Sequence, residues 1–246
     1  MSLTPDAEVV GALALSMQII GRPLTVQEIA QFVRYLELLS RWNRKARLSA
    51  ITRPVEAVRL HFLDSLLSLG AEFPAATRVI DVGSGAGFPG IPVKIVRPDL
   101  QFTLLEAAAR KAAFLEIAGK ELGLELEVIH ARAEEAAHDE RWRERFDVAM
   151  ARALAPLAAA CELTMPFVKP NGRVVLLKGP SVRGELAAGR RAVGKLGGGA
   201  MRALSAALPG GDRRVIIVIE KSAPTPTEYP RRAGLPRRKP LGAPPA

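Results

Sequence analysis

The chain has a single cysteine, Cys161, and three histidines, His61, His130 and His138, that show no ligand spacing. One thiol excludes an internal disulfide and a cysteine-based metal cluster, and it allows a cytosolic setting. No apolar run reaches the roughly 18 to 20 residues of a membrane span. The opening M-S-L-T-P-D-A-E has no basic region ahead of an apolar core, so no signal peptide is expected and the localisation reads as cytoplasmic. Acidic residues are also short: 25 Asp and Glu face 35 Lys and Arg, leaving a net charge of +10. That excess points to a polyanionic partner, nucleic acid before membrane, although charge alone does not choose. At 246 residues and 48% hydrophobic, the chain has room for one good core and a small accessory segment.

The most informative stretch is Arg78 to Gly90, R-V-I-D-V-G-S-G-A-G-F-P-G. Val79, Ile80 and Val82 form a β-branched run suited to a buried parallel strand, with Asp81 at its end. Gly83, Gly85 and Gly87 follow at alternate positions, letting the backbone turn tightly and a ligand approach without Cβ obstruction. A helix is expected from about Gly90, and strand, glycine loop, helix is the layout that cradles a nucleotide-like cofactor. The bland alternative is a tight turn with no ligand. Against it, Phe102–Leu105 reads as the next strand and puts Glu106 at its carboxyl end, 23 residues after Gly83, where a carboxylate accepts hydrogen bonds from ribose hydroxyls. The spacing G-x-G-x-G behind an acidic residue suits the ammonium and sulfonium of S-adenosylmethionine better than a pyrophosphate, and resembles the first motif of Rossmann-like methyltransferases. A nicotinamide dinucleotide remains the alternative cofactor.

In chain order, residues 6 to 20 are apolar at helical spacing. Thr25 and Glu28 then form a T-x-x-E capping box ahead of Ile29, Phe32, Val33, Leu36 and Leu39. Arg41 to Ala50 sets four cations around Trp42, which reads as a core anchor rather than a base-stacking platform. Pro54 suits the first turn of a helix running to about Gly70. On it His61, Asp64 and Ser65 share a face, which by spacing alone is a solvated polar stripe. From Arg78 strands and helices alternate, implying right-handed crossovers and a mainly parallel sheet. A helix is expected from about Arg110 to Leu122, then strands at Leu126–Ile129, Phe146–Met150 and Val174–Leu177, with a helix from Ala155 to Phe167 stopping at K-P-N-G. Ala200–Ala207 and Arg213–Glu220 complete seven strands as an antiparallel pair. Ligands in such sheets bind beyond the strands' carboxyl ends, so Arg152, past the fourth strand, and Lys178, ending the fifth, are expected to face one crevice. Residues 221 to 246 are proline-rich and carry six cations against Glu228, half the net charge. They read as an irregular tail, and with Arg41–Arg47 they are candidate phosphate contacts. Three parts result: a helical cap over 1–75, a Rossmann-like domain over 76–221 and a basic tail over 222–246.

W-N-R-K-A-R-L-S-A-I, R-L-H-F-L-D-S-L, V-I-D-V-G-S-G-A-G-F-P-G-I-P, A-R-A-L-A, L-L-K-G and the tail Y-P-R-R-A-G-L-P together resemble the RsmG (GidB) family over nearly the whole chain. Members methylate N7 of one guanine in small-subunit (16S) ribosomal RNA. The resemblance implies a class I methyltransferase fold, S-adenosylmethionine as cofactor, and cofactor contacts at Gly83, Phe88, Glu106, Ala107, Ala108, Ala133, Glu134 and Arg152. It makes 16S ribosomal RNA the partner, within the small subunit or an assembly intermediate, and the protein is expected to be a monomer with no membrane association. His61 and Asp64 join Arg152 and Lys178 as candidate catalytic residues, because H-F-L-D-S is among the more specific shared segments. Where the family often has Asn-Leu-Thr, this chain has Arg47-Leu48-Ser49.

The side chains also narrow the target atom. Methylation of a pyrimidine ring carbon needs a cysteine nucleophile, whereas Cys161 sits in an apolar helical stretch and reads as a buried small residue. Methylation of an exocyclic amine commonly uses an Asn/Asp-Pro-Pro-aromatic turn after the fourth strand; here the turn is A-R-A-L. Guanine N7 has an in-plane lone pair and needs alignment rather than a base. A non-catalytic RNA-binding or ribosome-assembly protein and a dehydrogenase or reductase stay open as alternatives.

Overall fold

The computed structural model describes residues 6–242; residues 1–5 of the expected cap and 243–246 of the expected tail lie outside them. Seven strands form one sheet: β1 (Arg78–Val82), β2 (Gln101–Glu106), β3 (Leu126–His130), β4 (Phe146–Arg152), β5 (Val168–Lys178), β6 (Gly198–Ala207) and β7 (Arg213–Lys221). Their spatial order is β3-β2-β1-β4-β5-β7-β6. The first five are parallel; β7 runs antiparallel between β5 and β6. This is the expected doubly wound α/β architecture, with the order reversing beside β1, where ligand crevices form.

The helices before β1 are α1 (Ala7–Ala14), α2 (Val26–Ala46) and a composite segment from Pro54 to Ala71. The helix expected over residues 6 to 20 breaks after Leu15 and resumes over Met17–Ile20. The α2 capping box forms in full: Thr25 Oγ1 accepts from the Glu28 N–H at 3.2 Å, and Glu28 Oε2 accepts from the Thr25 N–H at 2.7 Å. Arg22 binds the same carboxylate and donates to the Val96 carbonyl, tying α2 to the domain. On the same face of the sheet as the cap lie α3 (Gly90–Val96) and α4 (Ala109–Leu122), and on the opposite face α5 (Leu157–Thr164) and α6 (Leu186–Lys195).

Half of the twelve aromatic residues converge on one place. Phe32, Tyr35 and Trp42 of α2 meet Phe62, Phe88 and Phe114, with Tyr35 stacked on Phe62 at 5.2 Å and Trp42 edge-on to Phe114 at 5.8 Å. One apolar cluster therefore runs from the cap through Val79 and Phe102 of the sheet. Trp42 is half-buried within it, as an anchor.

Several boundaries differ from the sequence reading. β4 continues through Arg152 because its last residues pair with Leu176 and Leu177 of β5. β5 begins at Val168, so K-P-N-G interrupts a strand rather than preceding one; Asn171 takes the left-handed conformation at φ 69° and the register to β4 shifts there. Residues after β7 are not a loose tail: Pro230, Pro236 and Leu241 are buried, and Leu235–Arg238 is a short helix.

Candidate active site

Gly83, Gly85 and Gly87 all take positive φ, 71°, 62° and 96°. At Gly87 a Cβ would lie 2.5 Å from Ile91 and 2.7 Å from the Tyr35 hydroxyl, so a larger residue is excluded by both conformation and packing. Tyr35 of α2 donates its hydroxyl hydrogen to the Ala86 carbonyl, so the cap holds the loop directly. Gly85 differs, for an added Cβ there would meet only the Gly83 carbonyl at 4.0 Å. Its open side faces a cavity of about 320 Å³.

Among the expected cofactor residues, Gly83, Gly85, Glu106, Ala107, Ala133 and Glu134 line that cavity. Glu106 is fastened at both oxygens: Oε2 accepts from the Gly85 N–H and Oε1 from the Ala108 N–H, each at 2.8 Å. Asp81, Gly87, Phe88, Ala108 and Arg152 are not part of the lining. Asp81 is fully buried, with Oδ2 accepting from the Gly90 N–H at 2.9 Å. Its Oδ1 has no partner among the described residues, which is costly for a buried acceptor. Burial pushes the Asp81 carboxyl up to about 7, against the opposing pull of the Gly90 N–H.

Arg152 lies at the end of β4, beside the segment that carries His61 and Asp64. Its guanidinium turns toward the cap, donating to the Leu60 carbonyl at 2.8 Å, to Asp64 Oδ2 at 2.9 Å and to His61 Nδ1 at 3.0 Å. It also lies over the Phe88 ring at 4.9 Å, and His61 stacks on that ring at 4.4 Å. Arginine has no acceptor, so Nδ1 offers its lone pair and the ring proton sits on Nε2, facing Ser49 Oγ at 2.7 Å. Burial and then the Arg152 charge lower the His61 imidazole to about 4, so it is neutral near pH 7. Asp64 is buried between two guanidiniums, its other oxygen accepting from Arg214 of β7 at 2.6 Å. His61, Asp64 and Arg152 are thus brought together, and the polar face is not a solvated stripe.

The backbone explains part of this. Val58–Leu63 is π-helical, a form that occurs mostly as single turns within α-helices and is frequent at functional sites, and it carries both His61 and the Leu60 carbonyl. Periodicity in the sequence gave no sign of it. Lys178 goes elsewhere, donating to the Ala155 carbonyl, with burial lowering its ammonium. It stands apart from the cavity and from the Arg152 cluster. Cys161 is buried, and burial raises its thiol to about 12. Gly234 and Arg237 also stand in the wall; the segment Y-P-R-R-A-G-L-P carries part of the family resemblance, but nothing local in it shows that it folds back onto the cavity. Among the described residues no cluster of His, Cys, Asp and Glu could hold a metal ion, and no helix is long and apolar enough to cross a membrane.

The family model of rRNA small subunit methyltransferase G (GidB) matches residues 28–209. The chain belongs to the GidB family. Curated relatives named ribosomal RNA small subunit methyltransferase G include one from Moorella thermoacetica, 44% identical over 224 residues, covering 90% of this chain and 93% of that protein. Another, from Lactococcus lactis subsp. cremoris (strain SK11), is 38% identical over 242 residues, covering 97% of this chain and all of that protein. Solved structures share the fold at lower identity. A methyltransferase from Pyrococcus furiosus has a TM-score of 0.54 at 13% identity and covers 77% of this chain and 97% of that one. A predicted O-methyltransferase from Agrobacterium tumefaciens has a TM-score of 0.53 at 21% identity, with 66% and 82% covered.

S-adenosylmethionine is the cofactor of this GidB chain, and the residues present fit it. A carboxylate at the end of β2 suits a vicinal diol, and the unpaired Asp81 oxygen suits a cationic ligand.

Proposed function

We propose that this protein transfers the methyl group of S-adenosylmethionine to N7 of a guanine in 16S ribosomal RNA, working in the cytoplasm as a monomer on the small subunit or an assembly intermediate. The observation that carries the reading is the pairing of a glycine-walled cavity ending in Glu106 with a cation cluster, Arg152 and Arg214 on Asp64, beside the same loop. The cofactor supplies an electrophilic methyl on a sulfonium, and the protein supplies position.

Gly83, Gly85, Glu106, Ala107, Ala133 and Glu134 hold the cofactor, Asp81 offering negative charge at the strand end. Phe88, buried against the stacked His61 ring and the Arg152 guanidinium that bonds it, holds the end of the glycine loop. Nothing in the cluster needs to accept a proton: His61 is neutral with Nδ1 already engaged, and N7 attacks through its own lone pair. Ring-carbon methylation is disfavoured, since the one thiol is buried and held protonated. In this scheme residues 1–75 act as a cap and 76–221 as the catalytic domain. Arg152 and His61 are positioning residues, and Lys178 supports the turn after β4.

Mass mapping of 16S ribosomal RNA from a deletion strain, repeated after restoring the gene, tests the proposal. One guanine should lose a methyl group and regain it. An unchanged RNA together with cofactor binding would favour a non-catalytic assembly role, and binding of NADH in place of S-adenosylmethionine would favour a dehydrogenase.

A further inference from the structure

The segment after β7 is fastened step by step to the domain. Lys221, fully buried, bonds the Thr225 hydroxyl and pairs with Glu144 at 3.3 Å, and Glu144 accepts from the Thr225 N–H at 2.7 Å. Arg143 donates to the carbonyls of Thr225, Pro226 and Tyr229. Arg231 then places its backbone N–H and its guanidinium fork on Glu162, a fully buried carboxylate, at 2.6 to 2.8 Å. A buried carboxylate left without that fork would be strongly destabilising, so the segment is fixed just before it reaches the cavity.

The next residues cross the site. The Gly234 N–H donates to Glu134 Oε1 at 2.9 Å, and three residues on Arg237 Nη2 donates to the Leu154 carbonyl at 2.6 Å. Glu134 follows β3 and Leu154 follows β4. In the order β3-β2-β1-β4 these two anchors flank β2, which ends in Glu106, and β1, which ends in the glycine loop. The segment therefore bridges the carboxyl ends where the cofactor is held. Gly234 and Arg237 both line the cavity with Gly83, Gly85 and Glu106. The family model's match ends at residue 209, before this segment begins.

We propose that residues 231–239 are part of the cofactor site: a strap anchored by Arg231 on Glu162 that roofs the cavity, with the Arg237 guanidinium in contact with S-adenosylmethionine. This rests on the cavity's being the S-adenosylmethionine site. Arg237 commits one described hydrogen bond to Leu154, and a guanidinium carries five N–H donors, so donors remain for the ligand. The basic residues of this segment then serve the cofactor before they serve RNA, and cofactor exchange requires the strap to lift.

The test is titration of S-adenosylhomocysteine into wild type, Arg237→Ala and Arg237→Lys, with dissociation rates measured alongside. Arg237→Ala should weaken binding about 5- to 20-fold, mostly through faster dissociation, as expected for loss of a charged hydrogen-bonding contact. Arg237→Lys should recover part of the loss. Arg237 is exposed and the segment is anchored on Glu162 through Arg231, so the ligand-free melting temperature of both variants should stay within a few degrees of wild type. In a second arm, saturating S-adenosylhomocysteine should slow tryptic cleavage after Arg232 of wild type by on the order of tenfold, because ligand stabilises the closed strap. Wild-type binding with unchanged affinity in Arg237→Ala and no protection of the strap would overturn the strap alone. Failure of wild type to bind the ligand would overturn the cofactor reading and the strap with it.

Discussion

Glu106 serves the loop before it serves a ligand. With both oxygens on backbone N–H groups of Gly85 and Ala108, it fixes the spacing between β2 and the glycine turn, so one substitution removes both the proposed ribose acceptor and a brace. Glu106→Ala should weaken S-adenosylmethionine binding by about 1 to 3 kcal/mol in isothermal titration; unchanged affinity would reduce it to a brace alone. Asp81 offers a sharper test. Its folded carboxyl is raised to about 7 against an unfolded value near 3.9, so the native state holds the extra proton and stability falls as pH rises from about 4 through 7. Asp81→Asn should remove that fall and be more stable than wild type at pH 8. Ionised Asp81 favours a cationic ligand, so wild-type affinity should rise with pH through about 7, and Asp81→Asn should lose that rise. Arg47 shows the chain paying a local strain. It ends α2 in the left-handed region at φ 45°, which asparagine tolerates better, and that accounts for the residue often found there in the family. Arg47→Asn should stabilise the protein by about 0.5 to 1 kcal/mol in urea titration.

The π-helical turn joins three elements through side chains that lie far apart in the chain. Arg152 at the end of β4, His61 on the turn and Arg214 on β7 all converge on or beside Asp64, so one buried carboxylate ties the turn to two strands of the sheet. Lysine at position 152 would keep the charge but reach fewer of these acceptors, lacking the planar fork. Arg152→Lys should lower single-turnover methylation on the order of tenfold, about 1.4 kcal/mol of barrier, with a smaller loss of cofactor affinity; wild-type rates would remove Arg152 from the mechanism. Strands and helices were legible where a period exists: the β-branched run before Gly83, the capping box at Thr25 and Glu28, and the antiparallel pair at the end each emerged within a few residues of expectation. The glycine loop and Glu106 were legible too, because short-range spacing encodes them. Arg152's turn toward the cap was not, since it depends on a carbonyl 92 residues away. Nor was the seat of Arg231 on Glu162, 69 residues apart, because nothing local in a proline-rich segment marks its partner.

Across the whole molecule, the positive charge divides into cations spent on the fold and cations left at the surface. Arg41 pairs with Glu121, Arg143 and Arg231 fasten the segment after β7, and Arg152 and Arg214 close on Asp64. Arg44 and Lys45 at the end of α2 are exposed, which leaves them to meet phosphate. Replacing both with alanine should flatten the salt dependence of RNA binding by about two in slope, roughly 0.9 per lost phosphate contact, while cofactor affinity holds; an unaltered slope would move the RNA face elsewhere. The sheet's connectivity bears on how the protein is made. β7 inserts between β5 and β6, both synthesised before it, and β6 pairs with no other strand. Until residue 221 has been translated, β5 therefore presents an unpaired apolar edge and β6 has nothing to join, the kind of open template that invites pairing with a neighbouring nascent chain. A chain truncated after residue 207 should therefore aggregate more readily than one that includes β7, which light scattering of the two would show.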